Sequence, residues 1–378
     1  MTYPFTTMSL LVLTAKDVEK LIASFDPEEL VELMKQVFIT LSSQTKDDPQ
    51  PKIYQPQRLL VPTANHTALF MPARWADSTV GGTSIKTVCV PRSKEDSRGI
   101  PGSTLVLDEE TGVVKAVVNA RSLTALRNAA GSLLSTKLVG LKLPQRIVAF
   151  GAGKQIEAHL DLHVRSYPSI RHCTIVNRRA NERVDKLVQL LRIRFSGVTF
   201  DSVVNDAEKE DSNSDREVVK DTLSKAGIVI CATPSTMPLF PSSWIPNGTH
   251  VILIGSYTPQ MQEVDRDLIW RAIPSSTTNS RSQRQVLLVD STEACAKEAG
   301  ELIRGGISVE QVVEIGEYAS QHVVPDERSV DVKGGNDGPV TVFKSVGVGV
   351  QDVAIACAVV RRAEALGVGT TIEGYDEV

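Results

Sequence analysis

The stretch that decides the fold is RIVAFGAGKQIEAHL, residues 146–160. It opens on an apolar run, Ile147 to Phe150, turns through Gly151, Ala152 and Gly153, and continues with helical apolar spacing. A strand that runs into glycines and then a helix brings main chain close to an anion. Gly151 permits the tight turn. Gly153 lets a pyrophosphate lie against backbone N–H groups at the positive end of the helix, with Ala152 and Gln155 beside it. The third small residue of this pattern is replaced by Ile156, which predicts looser packing of helix on strand.

Working outward, short apolar runs recur at 173–176, 198–200, 228–231, 251–254 and 286–289, separated by helical segments. Such runs suit strands covered on both faces, and the alternation predicts a doubly wound parallel sheet. The second strand ends at Asn177, Arg178 and Arg179. In this kind of sheet that strand end meets the adenosine ribose. An acid there would accept from a 2′-hydroxyl, whereas two guanidinium groups suit a 2′-phosphate, so NADP(H) is expected over NAD(H). Thr233 and Gly255 follow the fourth and fifth strands, at the crevice where parallel sheets bind ligands. A glycine at 255 is expected to let backbone approach the nicotinamide ring. The polar stretches 205–217 and 275–285 read as solvated loops.

On either side of this region the rhythm differs. Helical spacing over 18–41 is interrupted at Pro27, and strand-like runs follow at 58–62, 67–71 and 84–90. Runs at 104–107 and 113–118 flank DEETG and predict a hairpin. A helix is expected over 121–139. Near the end come a strand at 340–343, a turn at 345–347 and a helix over 352–366, stopped by Gly367. The expected architecture is α/β. A doubly wound parallel sheet domain, residues 131–339, is inserted into a discontinuous α+β domain, residues 1–130 and 340–378.

The chain has 378 residues, with 41 Lys+Arg against 45 Asp+Glu and a formal net charge of −4. Neither a basic balance nor a basic stripe is present, which argues against a nucleic-acid partner. Five cysteines, odd in number and never in a CxxC pair, argue for a reducing compartment and against a disulfide framework or a zinc site. His159 and His163 stand four apart without an HExxH motif, so packing rather than metal binding is expected of them, and no metal is expected. No apolar stretch reaches the ~20 residues that span a bilayer, and no targeting signal is evident, including in the terminal YDEV. A cytoplasmic location without a membrane partner follows as the expectation.

Three cations stand where charge is costly. Arg58 adjoins Leu59 and Leu60, Lys86 shares a strand face with Val88 and Val90, and Arg127 lies four residues after Leu123 on a helical pattern. A buried cation needs a partner. Few acids accompany these three locally, and a bound carboxylate would supply that partner. Arginine offers a fork that matches a carboxylate; lysine offers a compact charge that can also donate a proton.

Together, QPQRLLVP, FMPAR, SIKTV, TALRNAAGSLLSTKLV, VAFGAGKQIEAHL, IVNRR, ICATPSTMPLF, GTHVILIGSYTPQMQEVD, LLVDSTEACAKEAGEL and VTVFKSVGVGVQDVAIA resemble the ornithine cyclodeaminase/mu-crystallin family in sequence and order. The resemblance implies that residues 131–339 are a Rossmann-type domain and that the discontinuous domain binds substrate and dimerises; it also implies a nicotinamide cofactor, an amino- or imino-acid ligand and a homodimer. It places Arg58, Lys86 and Arg127 at carboxylate-binding positions. In ornithine cyclodeaminases an aspartate precedes the proline of the loop after the fifth strand. Here Tyr257 takes that place in GSYTP, where it would face substrate. This departure and the Asn-Arg-Arg strand end point to an NADPH-dependent reductase of a cyclic or linear α-imino carboxylic acid, with Lys86 catalytic. An NAD-holding cyclodeaminase and a non-catalytic, NADPH-gated ligand-binding protein are the alternatives.

Overall fold

Pro27 begins a helix rather than merely breaking one. The first strand, β1 (Leu10–Leu13), leads into α1 (Ala15–Ala23). Thr14 and Asp17 satisfy each other's backbone N–H groups there in a capping box. Asp26 and Glu29 repeat the device at the start of α2 (Pro27–Ser43). Proline at the first helical position costs nothing, since its missing N–H would have had no partner. The computed structural model describes residues 9–45, 48–93, 99–141, 143–205, 212–274, 286–322 and 339–377. After α2 come β2 (Ile53–Tyr54), β3 (Leu59–Pro62), β4 (His66–Trp75), β5 (Gly82–Pro91) and β6 (Gly102–Leu107), with no helix between them among the described residues. The hairpin expected around DEETG joins β6 to β7 (Val114–Asn119) with antiparallel pairing. The helix α3 (Leu123–Leu138) closes this segment.

The middle of the chain alternates. In order it forms β8 (Arg146–Phe150), α4 (Lys154–Ser166), β9 (His172–Asn177), α5 (Glu182–Arg194), β10 (Thr199–Val204), α6 (Ser212–Leu223), β11 (Ile228–Cys231) and β12 (His250–Leu253). Then come α7 (Arg266–Arg271), β13 (Leu287–Val289), α8 (Thr292–Glu298), α9 (Gly300–Gly305), β14 (Val313–Glu314), α10 (Ile315–Gln321) and β15 (Thr341–Lys344). The strands form one parallel sheet in the order β10-β9-β8-β11-β12-β15-β13-β14. The strand order reverses beside β8, the switch point at which such sheets take ligands. Every residue of β11, β12, β13 and β15 is buried, which is why these segments read as unbroken apolar runs.

Two expectations change here. The strand near 340 does not belong with the terminal segment: β15 lies between β12 and β13, and its fully buried TVFK is the mark of a strand covered on both faces. The stretch 205–217 is not all loop, because α6 starts at Ser212 despite its charge. Residues 206–211 and the polar stretch 275–285 lie outside the described residues.

The chain ends with α11 (Gly349–Leu366) and β16 (Thr370–Ile372). Gly367, at φ +61°, terminates α11 in the left-handed conformation that glycine adopts without strain. β16 pairs with β1 at the edge of an eight-stranded sheet ordered β16-β1-β7-β6-β5-β4-β2, with β3 also on β4. α11 packs on β4 and β5 and against α2. Val353, Ala356, Cys357 and Val360 of α11 are buried, as are Leu30, Met34, Val37 and Phe38 of α2. Each large apolar side chain so buried contributes about 1.5–3 kcal/mol. The chain divides into two compact units, residues 1–127 with 348–378, and residues 128–347.

Candidate active site

In the first unit the strand β5 places Lys86 between Met71 of β4 and Thr104 of β6. Alternate residues of β5 point to the covered face, so Ser84 and Lys86 are both buried. Lys86 Nζ lies 2.9 Å from Asp352 Oδ1 and 3.0 Å from Oδ2. Arg127 Nε donates to the same Oδ1 at 3.2 Å, and its Nη1 donates to Gln351 Oε1 at 2.9 Å. Both acceptors belong to the first turn of α11, where the helix dipole favours a carboxylate. The helix start is fixed by side chains: Val348 N–H donates to Gln351 Oε1 and Val350 N–H to Gln55 Oε1. Gln55 belongs to the same QPQR segment as Arg58, which is half-buried.

The cations are therefore not without a local acid. Asp352 pairs with Lys86 across 266 positions of sequence, a separation no local reading of charge reaches. Lys86 and Arg127 come together on this carboxylate. Arg58 is close enough to Lys86 for its charge to act on the lysine. Burial would push the Asp352 carboxyl up, but Lys86 and Arg127 overcome this and hold it below the usual carboxylate range. Lys86 is pulled below its ordinary value. Burial is the largest cause; Arg127 and Arg58 add to it, and Asp352 opposes. Asp352 does leave a signal in sequence: it is a lone acid in the apolar run VQDVAIACAVV, the same kind of oddity that marks Lys86. Two of the three cations, Lys86 and Arg127, converge on the one carboxylate of Asp352.

In the second unit the glycine turn follows β8. Gly151 sits at φ +110°, and a Cβ there would lie 2.9 Å from the Ala232 carbonyl oxygen, so only glycine fits. Its N–H donates to Val176 O at 2.9 Å, tying the turn to the end of β9. Gly153 is the N-cap of α4 and supplies no side-chain cap. A Cβ at Gly153 would meet nothing within 4 Å. Gln155 Oε1 is buried without a hydrogen-bond partner. Uncapped N–H groups and the open space before them fit a phosphate-bearing cofactor at this helix end. Ala152 is half-buried beside the turn, and Ile156 is wholly buried beneath it. At the end of β9 Asn177 Nδ2 donates to the Arg179 carbonyl at 2.7 Å, curling the chain so that Arg178 and Arg179 are exposed.

Thr233 and Gly255, at the ends of β11 and β12, meet on a residue that the sequence did not single out. Glu263 Oε1 accepts from Thr233 N–H at 2.7 Å and from Thr233 Oγ1 at 3.0 Å, while Oε2 accepts from Gly255 N–H at 2.7 Å. A Cβ at Gly255 would lie 2.1 Å from the Thr233 carbonyl oxygen and 2.5 Å from Glu263 Oε1. In the structure, then, the close approach at Gly255 is to Thr233 and Glu263, a reason for glycine other than the one expected. Glu263 is fully buried and its carboxyl is pushed up to about 7. Burial is the main cause, Glu301 adds to it, and Lys344 with the Thr233 and Gly255 N–H groups oppose it. Glu301 Oε1 accepts from Glu263 N–H at 2.9 Å, and Lys344 Nζ lies 3.3 Å from Glu301 Oε2. Tyr257, two residues beyond Gly255, is 37% exposed.

Three of the six histidines pack in the interior. His159, His163 and His250 are fully buried and meet the hydroxyls of Ser132, Thr136 and Ser135 at 2.9–3.0 Å. Burial lowers them to about 4, 3 and 3. The five cysteines are free thiols. Among the described residues no cluster of histidine, cysteine and carboxylate could hold a metal, and no helix is long and apolar enough to cross a membrane.

A Delta(1)-pyrroline-2-carboxylate reductase of Colwellia psychrerythraea is 27% identical, over 89% of this chain and 94% of its own. The ketimine reductase mu-crystallin of Mus musculus is 27% identical, over 82% and 85%. The structure of Thermococcus litoralis Delta(1)-pyrroline-2-carboxylate reductase, in complex with NADH and L-proline, superposes with a TM-score of 0.75 at 22% identity. It covers 96% of this chain and 100% of its own, and so shares the fold. The profile of the ornithine cyclodeaminase/mu-crystallin family matches residues 9–366, and the chain belongs to that family.

Proposed function

We propose that this protein is an oxidoreductase that reduces the C=N bond of a cyclic or linear α-imino (ketimine) carboxylic acid with NADPH. The observation that carries the reading is the buried positive group of the first unit, in which Lys86 and Arg127 share Asp352 and Arg58 acts on the lysine. A substrate carboxylate beside these cations suits their donors. The reductases of pyrroline-2-carboxylate and of ketimines among its relatives support the same substrate class.

The residues divide the work. Arg58 and Arg127 hold the substrate carboxylate, for which a guanidinium fork is suited. Lys86 engages Asp352 through two donors, leaving the third N–H of an ammonium for the guest. With its pKa depressed, Lys86 gives up a proton more readily than an ordinary lysine, and it supplies or stabilises the proton on the imine nitrogen. Asp352 keeps Lys86 charged and oriented. When bound, the nicotinamide cofactor supplies the hydride that the imine carbon accepts. Gly151, Ala152, Gly153 and Gln155 hold its pyrophosphate. Asn177 shapes the turn that presents Arg178 and Arg179 to the 2′-phosphate, which favours NADPH over NADH. Thr233 and Gly255 edge the crevice, and Tyr257 contributes to substrate choice. A tyrosine where a cyclodeaminase would need an acid argues against ornithine cyclisation.

The reading extends to assembly and setting. The strand β3 is exposed along its length, with Leu59 64%, Leu60 61% and Val61 47% accessible. An apolar strand of this kind supports a homodimer formed through the first unit. Five free cysteines support a reducing, cytoplasmic setting. The test offers the purified protein NADPH with a panel of cyclic ketimine carboxylates, and ornithine with NAD. Loss of NADPH absorbance with a ketimine supports the reading. Ammonia release from ornithine without net cofactor turnover would replace it with the lyase. NADPH-dependent ligand binding with no turnover would replace it with a binding protein.

A further inference from the structure

Beneath the ligand-side ends of β11, β12 and β15 lie two carboxylates and one lysine, Glu263, Glu301 and Lys344, none of them exposed. Burying so much charge is costly unless every group is engaged. Lys344 answers two demands, donating to the Ser256 carbonyl at 2.5 Å and facing Glu301 at 3.3 Å. Glu301 in turn fixes the backbone of Glu263. The result is a carboxylate whose two oxygens reach two different strand ends, Thr233 after β11 and Gly255 after β12. The Thr233 methyl lies 3.5 Å from where a Cβ of Gly151 would be, and the Ala232 carbonyl is closer still at 2.9 Å. The staple therefore fixes the segment against which the glycine turn is packed.

We infer that Glu263 is a positioning residue for the cofactor crevice, setting the spacing of the Thr233 and Gly255 segments, the first of which packs against the glycine turn. It touches neither cofactor nor substrate in this role. The inference rests on the reading of the second unit as a nicotinamide-dinucleotide site, and goes beyond it by assigning a residue outside the glycine motif. The groups that face Glu263 are Glu301 and Lys344, with the Thr233 and Gly255 amides. A neutral glutamine at 263 is nearly isosteric, but it can accept at only one end of its amide, so it must surrender either Thr233 or Gly255. Thr233→Val removes one hydroxyl bond and leaves the buried charges untouched.

The experiment measures the NADPH dissociation constant by fluorescence titration of wild type, Glu263→Gln, Thr233→Val and Thr233→Ser, with thermal unfolding of each alongside. Wild-type binding of NADPH or NADH establishes the underlying site; binding of neither overturns that site and this inference with it. Given wild-type binding, Glu263→Gln is expected to weaken NADPH by about tenfold, the effect of one lost hydrogen bond of ordinary strength. Thr233→Val is expected to weaken it by a smaller factor that Thr233→Ser restores. Should Glu263→Gln fail to fold, the Thr233 pair decides alone. Cofactor affinities of Thr233→Val and any folded Glu263→Gln within twofold of wild type, or a Thr233→Ser as weak as the valine, would overturn the inference.

Discussion

Asp352 engages Lys86 with both oxygens, so removing its charge acts first on the lysine. Burial, Arg127 and Arg58 lower the Lys86 pKa, and Asp352 is what opposes them. In Asp352→Asn the pKa falls further. The alkaline limb of kcat/KM, where Lys86 loses its proton, then moves to lower pH; an unmoved limb would contradict the proton role given to Lys86. The same change removes the buried carboxylate that Lys86 and Arg127 share, and denaturant unfolding should show a loss of about 3–5 kcal/mol. Arg178 and Arg179 test the other charge assignment. Both are exposed, so their replacement by serine should leave the fold intact. NADPH binding is expected to weaken at least about tenfold, as loss of a charge-assisted bond implies, while NADH binding changes little. Equal weakening of the two cofactors would remove the 2′-phosphate assignment.

Among the elements, the three buried histidines on α4 and β12 join those elements to the hydroxyls of α3. Their folded values, about 4, 3 and 3, lie below the unfolded value of 6.5. The unfolded chain thus binds three more protons once the pH drops below about 6.5, and stability present above that pH is lost on acidification. Glu263 works in the opposite sense. Its folded value of about 7 lies above the ordinary 4.5, so between those values the folded chain holds one extra proton. The net difference of two protons predicts that stability falls by about 2.7 kcal/mol per pH unit between pH 6.5 and 4.5. Unfolding midpoints at pH 7.5, 6 and 5 measure it, and a flat profile would contradict the neutral state of these histidines. The glycine turn after β8 was legible because strand, glycines and helix are contiguous in sequence. The place of β15 was not, since a parallel sheet inserts a late strand between earlier ones and chain order does not reveal it. Helix α6 was hidden for a different reason: its charges describe an exposed face and say little about the backbone beneath.

For the whole molecule, the family and the α/β architecture were readable from motifs spread along the chain, and so were the cations Arg58, Lys86 and Arg127. The acids that answer the charges were not. Asp352 stands out as a lone acid in an apolar run, but its partner Lys86 lies 266 positions away, and Glu263 looks like an ordinary acid in its own segment. Leu60 on β3 is exposed in the structure, and the proposed dimer makes a prediction there. Leu60→Lys on β3 should shift the protein from dimer to monomer in light scattering. A dimer that persists would place the interface elsewhere. The central claim is that the buried cations read a carboxylate on an imine that NADPH reduces. Its most direct test follows NADPH absorbance as wild-type protein meets a cyclic imine bearing a 2-carboxylate and, separately, the same ring without it. The account predicts NADPH consumption with the carboxylate and little or none without it; equal rates with the two rings, or no consumption with either at any pH, would contradict it.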